Sequence, residues 1–201
     1  MASLNKKAER GLATRKAILA TATRLFAEHG YAGVSVEAVL EAAGISRGAL
    51  YHHFASKEAL FEAVFEALEA EICDKVIASS AGARDGVRGL AAGCDVFLDL
   101  VQEKAIRQIA LTDAPSVLGW DKWREIEARY GFGLLKASLA RVSAEGALPA
   151  DMVDIFAHML LASLNEVALV IARAADRPSA SAEAKAAIGT LLKRLLGPAA
   201  P

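Results

Sequence analysis

Residues 35–54 read SVEAVLEAAGISRGALYHHF. The stretch opens on Ser35, and Val36, Val39 and Leu40 then share one face of a short helix. Gly44 ends that helix, since glycine takes the left-handed conformation at little cost. Ile45 plugs the angle. Ser46 caps the free donors of a second short helix, whose inward pair is Leu50 and Phe54. Two short amphipathic helices meeting through a glycine turn have the build of a helix-turn-helix. The second helix of such a unit can lay its N-terminal half in the major groove of DNA.

The outward residues of that second helix are Arg47, Gly48, Ala49, Tyr51 and His52, with His53 at the border. Arg47 can grip guanine with two hydrogen bonds, and Ala49 can meet a thymine methyl. Gly48 leaves room for close approach. Tyr51, His53 and Lys57 suit phosphates, and the helix that starts beside Lys57 adds a partial positive charge there. Read alone, Arg47 and Lys57 would pass for solvated surface charges; their setting gives them a role. Neighbouring histidines on a helix point in different directions, so no metal site is expected at His52 and His53.

Working outward, the rest of the chain also reads as helix. Alanine is the commonest residue, all five prolines fall at or after Pro115, and alternating β-branched runs are absent. A first helix is expected from Thr14 to His29, with Ile18, Ala22, Leu25 and Phe26 on one face and Gly30 as its stop. A fourth should run from Lys57 to about Ser79, and a glycine-containing joint follows to Gly86. Further helices are expected over Val87–Gln102, Lys104–Asp113, Gly119–Glu145, from Pro149 to Ala175, and over Ala180–Leu196. The sixth should stop before Pro115, and Pro178 and Ser179 should separate the last two.

Composition sets the bounds. The chain has 201 residues, 54% hydrophobic and 23% charged, enough apolar material for a real core. The net charge of −1 hides an asymmetry. Residues 1–57 carry eight basic side chains against four acidic ones, and the remainder is acidic. Two cysteines, Cys73 and Cys94, offer neither a disulfide framework nor metal spacing; they read as inert buried thiols, with redox sensing as the other reading. The best membrane candidate, Met152–Ala172, carries Asp154, His158, Ser163, Asn165 and Glu166, too many polar groups for a spanning helix. A soluble cytoplasmic protein without cofactor is expected. Lys6, Lys7 and Arg10 form either a loose tail or an arm reaching a minor groove.

The run GISRGALYHHFASKEALF at 44–61, with LFAEHGYAGVSVEAV at 25–39, resembles the DNA-binding end of the TetR (tetracycline-repressor-like) transcriptional regulators. The resemblance covers residues 12–65; beyond them only the number and order of helices match. It implies an all-α regulator of about nine helices. A three-helix DNA-binding domain would occupy residues 1–56 and a helical effector-binding and dimerisation domain residues 57–201. It places Ser35, Tyr51, His53 and Lys57 at phosphates and Arg47, Ala49 and His52 at bases. It further implies a homodimeric repressor with a small-molecule pocket among helices five to seven. One departure is Val36-Glu37, where relatives often have isoleucine-alanine.

The body gives independent hints. The helix from Ile155 to Ile171 is apolar nearly all round, so it needs cover on several sides. The leucine stripe of the last helix lies next to it. Two copies of this pair would form a twofold four-helix seam, and the dimer would read a palindromic operator. Trp120, Trp123 and Tyr130, with Phe132 nearby, form either ordinary core or the lining of a cavity made beside Gly131 and Gly133. Phe97 is a further lining candidate. Asp113, His158, Asn165 and Glu166 are polar groups in apolar helices; they either bond one another or the twin subunit, or orient a small, mainly apolar effector. An enzyme would have to be built from Cys94, His158 and Asp113, whose spacing matches no triad or metal motif. A regulator without an effector, or an activator, is the other reading.

Overall fold

Nine helices and no strand make up the described residues of the computed structural model, which gives the backbone of residues 2–197 and the side chains of residues 9–197. They are α1 (Ala2–Gly33), α2 (Val36–Ala43), α3 (Arg47–His53), α4 (Lys57–Ser80), α5 (Gly86–Leu100), α6 (106–117), α7 (120–144), α8 (Val153–Arg173) and α9 (Arg177–Leu196). Helix α6 is π-helical over Ile106–Asp113 and α-helical over Ala114–Val117. Helix α7 runs as α over Trp120–Glu127, π over Ala128–Phe132 and α again over Gly133–Ala144.

Four boundaries differ from the expected ones. Helix α1 begins at Ala2 rather than Thr14, because no proline interrupts the stretch before it. Gly30 still breaks it, with φ 69° and ψ 167°. Helix α6 does not stop before Pro115: the proline sits in the first turn of Ala114–Val117, where its missing N–H is not needed. Pro178 likewise falls in the first turn of α9, which Asp176 caps by accepting from the Ser179 N–H at 3.2 Å. Helix α8 starts at Val153, after a short 3-10 turn over Ala150–Met152. Lys6 and Lys7 lie outside the residues whose side chains are described; Arg10 is exposed.

The contacts divide the chain into two compact units. One holds the chain up to Leu68 together with Lys104–Trp120; the other holds Glu69–Glu103 together with the chain from Asp121 on. Helix α4 begins at Lys57, where the expected effector domain starts, and takes part in both units. The first unit is built on Ile18, Phe26, Val39, Leu50, Phe54, Phe61 and Phe65, all buried. Phe26, Tyr31 and Phe61 pack as an aromatic triangle, with edge contacts at 5.2 and 5.1 Å between centroids. Helix α6 packs on α1, and its Ile106 and Ile109 are buried. In the second unit α5 packs against α9 and the second half of α7, and α8 lies against both α7 and α9. The Ser181 hydroxyl, buried in α9, donates to the Leu98 carbonyl of α5 at 3.3 Å.

Candidate nucleic-acid interface

The turn between α2 and α3 has the geometry its residues dictate. Ser35 caps α2 by accepting from the Ala38 N–H at 3.1 Å, and Ser46 caps α3 by accepting from the Ala49 N–H at 3.2 Å. Gly44 adopts φ 64° and ψ 35° and donates back to the carbonyls of Glu41 and Leu40. Leu50 is fully buried and Phe54 nearly so, which fixes the rotation of α3 about its axis. That rotation leaves Arg47, Gly48, Tyr51 and His52 exposed together, with Ala49 and His53 half-buried beside them. A side chain built at Gly48 would meet open space, so the backbone there is free to approach a partner closely.

Charge is arranged around this face. Arg47 donates from Nη2 to Glu37 of α2, and Glu37 is held below the usual carboxylate range by its own backbone N–H and by Arg47. The Arg15 guanidinium lies over the Phe54 ring at 5.2 Å. Lys57 is less free than its position in the sequence suggests. It is half-buried, its ammonium donates to the Tyr31 carbonyl at 2.5 Å, and it sits 4.0 Å from the centre of the Tyr31 ring. Burial lowers its pKa, and the nearby Asp113 charge offsets part of that effect. The His52 and His53 rings stand 5.2 Å apart at 65° to one another.

The helix-turn-helix segment and the body each match a known profile. That of bacterial regulatory proteins of the tetR family covers residues 18–64, and that of the tetracyclin repressor-like C-terminal domain covers residues 87–195. The chain belongs to the TetR family. It is a DNA-binding transcriptional regulator. A crystal structure of a TetR-family transcriptional regulator from Pectobacterium atrosepticum is 32% identical, with a TM-score of 0.80, over 94% of this chain and 96% of that one. The Tn10 transposon TetC protein of Escherichia coli is 25% identical over 160 residues, 80% of this chain and 81% of TetC. The transcriptional repressor AcnR of Corynebacterium efficiens is 44% identical over 77 residues, 38% of this chain and 40% of AcnR.

Of the eight expected effector residues of this TetR-family chain, two fall in the first unit and six in the second. Asp113 and Trp120 belong to the unit of the N-terminal helices. Asp113 accepts from the Tyr31 N–H at 2.8 Å and from Gln108 Nε2 at 3.1 Å, so it ties α6 to the end of α1. Trp120 is 65% exposed. Phe97, Trp123, Tyr130, His158, Asn165 and Glu166 fall in the second unit. There His158, itself exposed, stacks on Phe132 with centroids 4.3 Å apart, and Asp154 pairs with Lys136 at 2.9 Å. Asn165 donates to Glu127. Glu166 is exposed, on the stripe shared with Ile155 and Met159. A methyl placed at Gly131 would fit, in ordinary contact with Leu161 at 3.6 Å.

Two acidic residues of the body were not among the expected site residues. Glu127 is 6% exposed and accepts from Arg124 at 2.6 Å as well as from Asn165. Burial raises its pKa, while both partners lower it. Glu69 of α4 is pushed up to about 7 by burial, with the Glu127 charge adding to the effect. Spacing could have marked both. Glu69 stands four residues after Phe65 and three before Ile72, and Glu127 four after Trp123 and three before Tyr130, each on an apolar stripe. Helix α8 is long and apolar enough to cross a membrane, but its Val153, Ala157, Leu160, Leu161, Leu164, Ala168 and Ile171 form part of the core.

Proposed function

We propose that this regulator is a cytoplasmic homodimeric repressor that leaves a palindromic operator when a small, mainly apolar molecule binds its body. The observation that carries the reading is the exposed face of α3, where Arg47, Gly48, Tyr51 and His52 are presented outward by the buried Leu50 and Phe54. In this reading Arg47, Ala49 and His52 read bases, while Ser35, Tyr51 and His53 fix the helix on phosphates. Lys57 contributes a positive potential beside the backbone, with one of its three donors already used by Tyr31. Residues 1–56 carry the DNA contacts, and residues 57–201 carry association and effector response. AcnR, a repressor by name, supports the sign of the response.

Dimerisation is supported by apolar side chains left open on the last two helices. Ile155, Met159 and Val170 of α8 are 56%, 55% and 58% exposed on one stripe, and Leu191 and Leu195 of α9 are exposed too. A second copy would cover this patch around a twofold axis. Release then follows if effector and DNA favour different states of one dimer.

Selection of bound duplexes from a random pool, paired with sedimentation, tests the proposal. The expected result is a dimer that enriches a palindrome with half-site centres about 34–36 Å apart or a multiple of it. A monomer, or a protein that enriches no duplex at low salt, would end it.

A further inference from the structure

Glu37 carries no expected role on DNA, yet its carboxylate holds the residue assigned to guanine. It stands in the first turn of α2, and Arg47 is the first residue of α3. Arg47 Nη2 donates to Glu37 Oε1, and the two side chains are 58% and 63% exposed. A pair so open to water contributes little to folding. Its consequence lies in where the guanidinium points and in what it must give up to move. Arginine has five N–H donors, and the bond to Glu37 uses one of them. The donors left can still meet guanine O6 and N7 while the pair persists. A phosphate is different. It competes for the same cation with a carboxylate already in place, and it repels that carboxylate.

We propose that Glu37 is a specificity-determining residue, which keeps Arg47 aimed at base edges and withholds it from phosphate, so that random DNA is bound less well than it would be otherwise. The inference rests on the reading of Arg47 as a base-reading side chain. It gives a reason for a carboxylate at this exposed position, where its charge would otherwise only weaken DNA binding.

The test uses two duplexes of equal length: one selected by the wild-type protein from a random pool, and a shuffled version of it. Fluorescence anisotropy gives affinities over a range of salt for wild type, Glu37→Ala, Arg47→Ala and the double variant. Glu37→Ala is expected to bind the shuffled duplex about 3- to 10-fold more tightly at low salt, which is the effect of freeing one cation per subunit for phosphate. Its log K against log salt should steepen by ~0.9 for each additional phosphate neutralised. The preference for the selected duplex should shrink by a similar factor, and the steepening should vanish in the double variant. If Arg47→Ala loses base preference but Glu37→Ala leaves the ratio and the salt slope unchanged, or weakens both duplexes alike, the role of Glu37 is refuted while that of Arg47 survives. If Arg47→Ala keeps full base preference, the reading of Arg47 fails and this inference falls with it.

Discussion

Replacing Glu69 by glutamine should make the protein more stable at alkaline pH and leave it unchanged in acid. The carboxyl of Glu69 is pushed from its ordinary value of 4.5 to about 7 by burial, with the Glu127 charge a second cause. Below pH 4.5 both the folded and the unfolded chain carry the proton, and the fold bears no charge penalty. Between 4.5 and about 7 the unfolded chain ionises first, so it binds fewer protons than the folded one and stability falls as pH rises. Above about 7 both states are ionised and the loss is complete. A gap of about 2.5 pH units at ~1.4 kcal/mol each gives a loss of about 3–4 kcal/mol at most. Glutamine keeps the shape of the protonated acid and cannot ionise, so the variant should escape this loss. Urea denaturation at about pH 5 and about pH 8 measures it, at one fixed protein concentration because association adds to apparent stability. Glu69→Gln minus wild type should be small at the lower pH and about 2–3 kcal/mol in favour of the variant at the higher. A difference that stays flat across this range, or wild type being the more stable at the higher pH, would refute the reasoning.

Gly44→Ala should cost about 1–2 kcal/mol, because φ is 64° there and the space around it is open, leaving the backbone as the only source of the penalty; urea unfolding reads it. Asp113→Ala removes the acceptor of the Tyr31 N–H and should lower stability by about 1–3 kcal/mol in urea unfolding, while Asp113→Asn, which keeps one acceptor, should lose less. Met159→Glu puts a charge into the open apolar patch of α8 and should weaken self-association by roughly tenfold or more, ~1.4 kcal/mol, in sedimentation equilibrium. Burial pushes the thiols of Cys73 and Cys94 up to about 11 and about 12, so neither forms thiolate at neutral pH. Iodoacetamide at about pH 8 should label Cys94 only after unfolding, and prompt stoichiometric labelling of the native protein would contradict this.

What the sequence determined by itself is whatever depends on a residue and its near neighbours. The helix-turn-helix was legible because each of its instructions is local. A serine caps the helix that begins beside it, a glycine takes a left-handed turn at little cost, and Leu50 and Phe54 share a face by spacing alone. The outward set Arg47, Gly48, Tyr51 and His52 follows from the same periodicity. The openness of α8 on one side was also legible, as an excess of apolar residues over what one chain can cover. Tertiary structure decided the rest, since packing joins residues that spacing cannot relate. Asp113 reads as a stray acid in an apolar helix until α6 is laid against α1, where it meets the backbone N–H of the distant Tyr31. The π-helical turn at Ala128–Phe132 changes the rotation of α7 midway, so the stripe from Trp120 to Tyr130 is not one face. Spacing sets Glu69 and Glu127 on apolar stripes, but nothing in the sequence sets their acidity. Their altered acidity comes from the loss of water around them, a property of the packed body and not of any single helix.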